Sequence, residues 1–168
     1  MTADDTSGPL AGIQVCANLV VSGSGRCAES GVDGSYSITG LGTGDYRIQF
    51  GNYGDTYVDE YFDDTTDYSS AQSVAVVGGA VTPGIDAGLA AGGSISGTVT
   101  ADGTSGPLAG IQVCANPVGA ASGWGGCATT AVDGSYSITG LGTGDYRIQF
   151  GNYGDTYVDE YFDDTTDY

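Results

Sequence analysis

The chain has 168 residues, of which 21 are acidic and 3 basic, for a formal net charge of −18. It holds no histidine and no lysine, which removes imidazole bases, His-containing zinc clusters, Schiff-base lysines and P-loop lysines from consideration. The charge argues against nucleic acid and anionic membrane surfaces as partners, since both attract basic proteins.

The chain repeats itself. Residues 2–18 recur as 100–116 with one change, Asp5 against Gly103, and residues 32–68 recur unchanged as 132–168. One complete unit can therefore be assembled from the two copies and followed in chain order. Ser94–Thr100 alternates Ile95, Gly97 and Val99 on one face. Ile111–Ala115 alternates Ile111, Val113 and Ala115. Cys127–Val132 runs into Asp133-Gly134, a strong hairpin signal. Ser135–Leu141 follows with Tyr136 and Ile138 inward. Asp145–Gly151 turns Tyr146, Ile148 and Phe150 inward and Arg147 and Gln149 outward. Ser73–Val77 and Ala80–Leu89 close the unit with Val74, Val76, Ile85 and Leu89 as apolar positions. Period-two alternation with frequent turn residues predicts an all-β fold. Seven short strands per unit predict tandem antiparallel β-sandwiches.

The ends do not coincide with the repeat. Met1 aligns with Val99, and GTG encodes valine but also serves as a start codon. The reading frame is therefore expected to continue upstream. Met1-Thr-Ala-Asp-Asp lacks the charged start and apolar run of a leader, so a signal peptide is expected further upstream as well. The expected organisation is a first sandwich, 1–92, lacking its first strand, and a second, 93–168, lacking its last two. Open sheet edges of this kind are expected to favour self-association.

Three stretches carry a family resemblance. They are Gly93-Ser-Ile-Ser-Gly-Thr-Val-Thr, Pro107-Leu-Ala-Gly-Ile-Gln-Val, and the run from Val132-Asp-Gly-Ser-Tyr to Gly142-Thr-Gly-Asp-Tyr-Arg-Ile. The chain resembles the carboxypeptidase regulatory-like domains of bacterial secreted and surface proteins. These share a transthyretin-like (prealbumin-like) sandwich with collagen-adhesin B-type repeats and the starch-binding-like fold. The most specific part is Asp-Gly-x-Tyr followed by Gly-Leu-x-x-Gly-x-Tyr, at 33–46 and 133–146. B-type repeats often carry a Lys–Asn isopeptide bond, which a chain without lysine cannot form.

Each copy has two cysteines on adjacent strands. Cys16 shares the parity of Gln14 and Cys114 that of Gln112, so both point away from the apolar face. Disulfides Cys16–Cys27 and Cys114–Cys127 are predicted across each hairpin. They imply an oxidising compartment, and with the family resemblance an extracellular or cell-surface one. The segment between the cysteines is the one place where the copies differ in length, as an exposed loop would.

The second constellation is the acidic, tyrosine-rich stretch 51–68, repeated at 151–168. As a calcium site it would use Asp55, Asp59, Glu60, Asp63 and Asp64, and Asp155, Asp159, Glu160, Asp163 and Asp164. As a sugar platform it would use Tyr53, Tyr57 and Tyr61, Tyr153, Tyr157 and Tyr161, with Trp124 from the variable loop. No EF-hand spacing is present, and an acidic run is more often a solvated connection. A glycosidase carboxylate pair would need a cleft that so small a unit has little room for. Arg47 and Arg147 are expected to make surface salt links.

The leading expectation is a non-catalytic spacer repeat of a secreted or cell-surface protein that requires no cofactor. The alternatives are a carbohydrate-binding accessory module of a polysaccharide-degrading enzyme such as an α-amylase, and a calcium-dependent adhesion module. The corresponding partners are a polysaccharide or a cell-surface protein, without membrane insertion.

Overall fold

A computed structural model of the chain describes residues 1–3, 8–51, 56–118, 125–151 and 157–162. The chain divides into two units, Met1–Ala91 and Gly92–Tyr168. Among the described residues there is no helix. Unit 1 holds β1 (Thr2–Ala3), β2 (Gln14–Leu19), β3 (Gly25–Glu29), β4 (Gly44–Phe50), β5 (Glu60–Tyr61), β6 (Ser73–Val76) and β7 (Gly88–Leu89). Unit 2 holds β8 (Gly93–Thr98), β9 (Gln112–Pro117), β10 (Gly126–Thr129), β11 (Ser135–Leu141), β12 (Tyr146–Gly151) and β13 (Glu160–Tyr161).

The centre of each unit is a strand hydrogen-bonded on both edges. In unit 1, β2 lies antiparallel between β3 and β4. Strand β4 also pairs with β5 at one end and β6 at the other. In unit 2, β9 lies between β10 and β12, and β12 continues to β13. Alternation places Val15 and Ala17, and Val113 and Ala115, wholly inside, while the cysteine between them points out. The core of unit 1 adds Ile48, Phe50, Val74 and Leu89, and that of unit 2 adds Ile138, Leu141 and Ile148. Unit 2 sets a two-stranded antiparallel pair, β8 with β11, apart from its main sheet. In unit 1 the separate pair is β1 with β7, which run parallel.

Three elements differ from the sequence expectation. Asp133-Gly134 joins no hairpin: β10 pairs with β9, whereas β11 pairs with β8 in another sheet. The turn bonds itself instead, Ala131 N–H to Ser135 O at 2.9 Å and Gly134 N–H to Ala131 O at 2.9 Å, so its two flanks diverge as a corner between sheets. Gly134 has φ +77°, and a Cβ there would lie 2.5 Å from the Val99 carbonyl oxygen, so both conformation and space call for glycine. Ala80–Leu89 contracts to the two residues of β7. Finally, Ser35–Leu41 forms no strand, although its residues are those of β11. Among the described residues of unit 1 no strand pairs with it.

Local packing follows that last difference. Ile138 and Leu141 are 3% and 4% exposed, whereas Ile38 and Leu41 are only half-buried. The position before the second cysteine adds to it. Gly126 lets the Ile138 side chain approach closely, whereas the Arg26 guanidinium lies against Gly40. The reverse holds at the other end. Tyr46 and Phe50 are buried where Tyr146 and Phe150 are half-buried, and for Tyr46 the added cover is Val74 of β6, which it faces. In both units the tyrosine hydroxyl donates four residues back, Tyr46 to Gly42 O at 3.2 Å and Tyr146 to Gly142 O at 2.9 Å.

Each unit carries one buried hydroxyl clamp. Ser30 Oγ accepts from Ile13 N–H at 2.9 Å and donates to Leu10 O at 2.6 Å. Thr130 Oγ1 does the same with Ile111 N–H, 2.9 Å, and Leu108 O, 2.6 Å. The clamp ties the end of the disulfide hairpin to the chain entering the central strand. Thr130→Val keeps the shape but leaves a buried N–H and C=O without their partner. It is expected to lower the unfolding free energy by about 1–3 kcal/mol in urea titration, against no change for the exposed Thr129→Val.

Candidate functional site

Strand register brings the cysteines together. Cys16 lies directly opposite Cys27 and Cys114 opposite Cys127, each pair with Cα atoms 4.1 Å apart and a disulfide formed. Facing positions on antiparallel strands are the geometry in which a cross-strand bridge closes without backbone movement. The first cysteine of each pair is half-buried and the second exposed, on the face away from the core. The bridges thus staple the outer face of the sheet, and they fit an oxidising compartment. No helix among the described residues is long and apolar enough to cross a membrane.

The acidic stretch is partly drawn into the fold. Tyr57 bridges to Ala91, and Val58 N–H donates to Ala90 O at 2.9 Å. Asp59 packs against Gly51, where any Cβ would collide with its carboxylate. Strands β5 and β13 then add Glu60–Tyr61 and Glu160–Tyr161 to the edges of β4 and β12. Tyr61 is 4% exposed, and its ring meets Tyr68 edge-on at 5.6 Å, so it fills the fold instead of facing a ligand. Tyr57 and Tyr161 are half-buried, and Tyr157 is 45% exposed. Asp63, Asp64 and Asp159 are exposed, whereas Asp59, Glu60 and Glu160 are half-buried. Among the described residues no three acidic or cysteine side chains gather to hold a metal ion. Tyr53, Asp55, Trp124, Tyr153, Asp155, Asp163 and Asp164 lie outside the described residues.

Arg47 has a contact that strand parity did not suggest. Its guanidinium sits 4.3 Å above the centre of the Tyr68 ring, and Nε donates to Ala71 O at 3.4 Å. The Asp67 carboxyl beside it is held below the usual range, first by the Ser69 hydroxyl and backbone N–H, and in lesser part by Arg47. This cluster anchors the end of the acidic stretch onto β4.

One concave feature of unit 1 was not legible in sequence. It is an open groove of about 1080 Å³, walled on one side by Tyr36, Ile38 and Leu41 and on the other by Val74, Val76 and Ile85. Tyr36 spans it, its hydroxyl donating to Ile85 O while its ring meets Phe50 edge-on at 6.2 Å. Burial, and secondarily the charge of Asp86, push its pKa up to about 12. A smaller polar depression of about 240 Å³ lies on the outer face, between Gln14, Cys16, Asn18 and Gln49. Compared with protein families, curated proteins and solved structures, the chain finds no match.

Two outcomes follow from this geometry. Replacing Cys16 and Cys27 together by serine frees the loop between them in the unfolded chain. It is expected to cost about 2–3 kcal/mol in urea titration. The folded Tyr36 keeps its proton until about pH 12, whereas an unfolded tyrosine loses it near 10.0. Its contribution to stability is therefore complete below pH 10 and is lost as pH rises from 10 to 12. Rapid titration of tyrosinate absorbance should show a step near pH 12 that Tyr36→Phe removes.

Proposed function

We propose that the chain is a non-catalytic structural repeat, a spacer within a secreted or surface-anchored protein, made of tandem prealbumin-like sandwiches of seven strands each. The observation that carries this reading is the framework common to both units. Central strands β2 and β9 take the same register against their neighbours, with a disulfide at the same place in each. The paired features, namely the staple, the hydroxyl clamp and the tyrosine that caps its own turn, all brace the fold. A spacer needs that resistance to unfolding in each repeat, and it needs a surface that stays soluble. A charge of −18 supplies the second through mutual repulsion.

The extracellular assignment rests on the disulfides together with the acidic, lysine-free surface. The carbohydrate and calcium alternatives gain nothing from the buried Tyr61 or from the dispersed exposure of the acidic side chains. In native gels the full chain is expected to migrate equally with and without soluble starch, chitin or cellulose derivatives. Its thermal midpoint should be the same in millimolar calcium and in EDTA, since a ligand specific to the folded state raises it. Retardation by one polysaccharide, or a calcium-dependent midpoint, would overturn the spacer reading.

A further inference from the structure

Asp-Gly occurs three times in the chain, at 33–34, 102–103 and 133–134. This dipeptide rearranges without any enzyme, because glycine has no side chain to shield its amide nitrogen from the preceding carboxyl group. The three pairs differ in how the fold holds the two reacting groups. We propose that Asp102-Gly103 is the site at which the folded chain rearranges spontaneously to isoaspartate, and that Ser35 and Ser135 guard the other two pairs against the same reaction.

The reaction joins the Gly103 nitrogen to Asp102 Cγ. The amide proton and the carboxyl hydroxyl leave together as water, and a succinimide ring remains. Water then adds to the ring carbonyl that was the Asp102 main-chain carbonyl, and the bond from that carbon to the Gly103 nitrogen breaks. The backbone now runs through Cβ and Cγ, one methylene longer, with a free α-carboxylate beside it. Mass and charge are unchanged. Closure is favoured by a carboxyl free to turn toward the next nitrogen, by its neutral form, since hydroxyl must leave, and by an N–H that nothing else holds.

Two of the pairs are held against all three conditions. Asp33 Oδ1 accepts from the Ser35 backbone N–H at 3.0 Å and from its hydroxyl at 2.7 Å, which turns the carboxylate forward and favours its ionised form. The Asp33 pKa is lowered accordingly, first by the Ser35 hydroxyl. The Gly34 N–H donates to Gly31 O at 2.8 Å. Asp133 repeats the arrangement, with Ser135 N–H at 3.1 Å and its hydroxyl at 2.6 Å, and Gly134 N–H donates to Ala131 O at 2.9 Å. Asp102-Gly103 sits instead on an exposed turn tied at its base, by Ala101 N–H to Gly106 O at 2.8 Å and Ser105 N–H to Ala101 O at 3.0 Å. Thr104 stands where the guarded pairs have serine, but its hydroxyl accepts from Gly106 N–H at 3.5 Å. Among the described residues no donor reaches the Asp102 carboxylate and no acceptor the Gly103 N–H. The space about Gly103 is open, since a Cβ there would meet nothing within 4 Å. Position 103 is also the one at which 100–116 departs from 2–18, where the pair is Asp4-Asp5.

The test follows isoaspartate by peptide mapping of the full chain after weeks in warm neutral buffer. Chymotryptic cleavage after Tyr36, Leu108 and Tyr136 places the three pairs on separate peptides. In the folded chain the isoaspartyl fraction at Asp102 is expected to exceed that at Asp33 or Asp133 by at least about tenfold, the factor that giving up a hydrogen bond to a charged group carries. In urea with the disulfides reduced, the three sites should convert to similar extents. Ser35→Ala, at an exposed position, is expected to raise conversion at Asp33 severalfold and to leave Asp133, the internal control, unchanged. Equal conversion at the three sites of the folded chain, or an excess at Asp102 that persists in urea, would overturn the proposal. An unchanged Asp33 in Ser35→Ala would overturn the guarding role.

Discussion

Everything in each unit depends on one strand that is hydrogen-bonded on both edges. Strands β2 and β9 carry the apolar face inward through Val15 and Ala17, or Val113 and Ala115, and a cysteine outward. Because side chains alternate at every residue, a slip of one position would bury the cysteine and expose the valines. The disulfide holds that register covalently on one edge, and the β4 or β12 ladder holds it on the other. The core, the hydroxyl clamps and the capped tyrosine turns are all placed relative to this strand.

The two units show how much of a strand is made by its partner. Ser35–Leu41 and Ser135–Leu141 have the same side chains and the same preceding Asp-Gly turn, yet one is a strand and the other is not. An isolated extended segment gains nothing for its ordering entropy until a neighbour accepts its hydrogen bonds. The same logic runs the other way at Tyr146 and Phe150. These residues stay half-buried, whereas Tyr46, opposite Val74 of β6, and Phe50 are buried. Side-chain identity sets which face would be inward, and the neighbouring strand sets whether there is an inside.

The acidic stretch reads differently once it is seen against the sheet. Its composition suggested calcium or sugar chemistry, but the described portion is used structurally. Glu60–Tyr61 and Glu160–Tyr161 extend the sheets, Tyr61 fills the fold, and Tyr68 receives Arg47. These roles were hidden in the sequence because a two-residue strand has no periodicity to detect. A tyrosine on a sheet edge is also compositionally identical to one offered to solvent.

The sequence by itself determined the all-β class, the repeat, the inward positions of the long strands and the cysteine pairs. The class and the inward positions follow from alternation between near neighbours, the cysteine pairs from strand parity across a short hairpin, and the repeat from direct identity of the two copies. Only the tertiary structure decided the rest. Asp133-Gly134 has hairpin chemistry but turns a corner, because the strands it joins bond elsewhere. Ser30 and Thr130 are clamps because the N–H groups they accept from lie 17 and 19 residues away in the chain. Ser35–Leu41 is the wall of a groove because strand formation depends on a partner's hydrogen bonds, which no segment carries in its own residues.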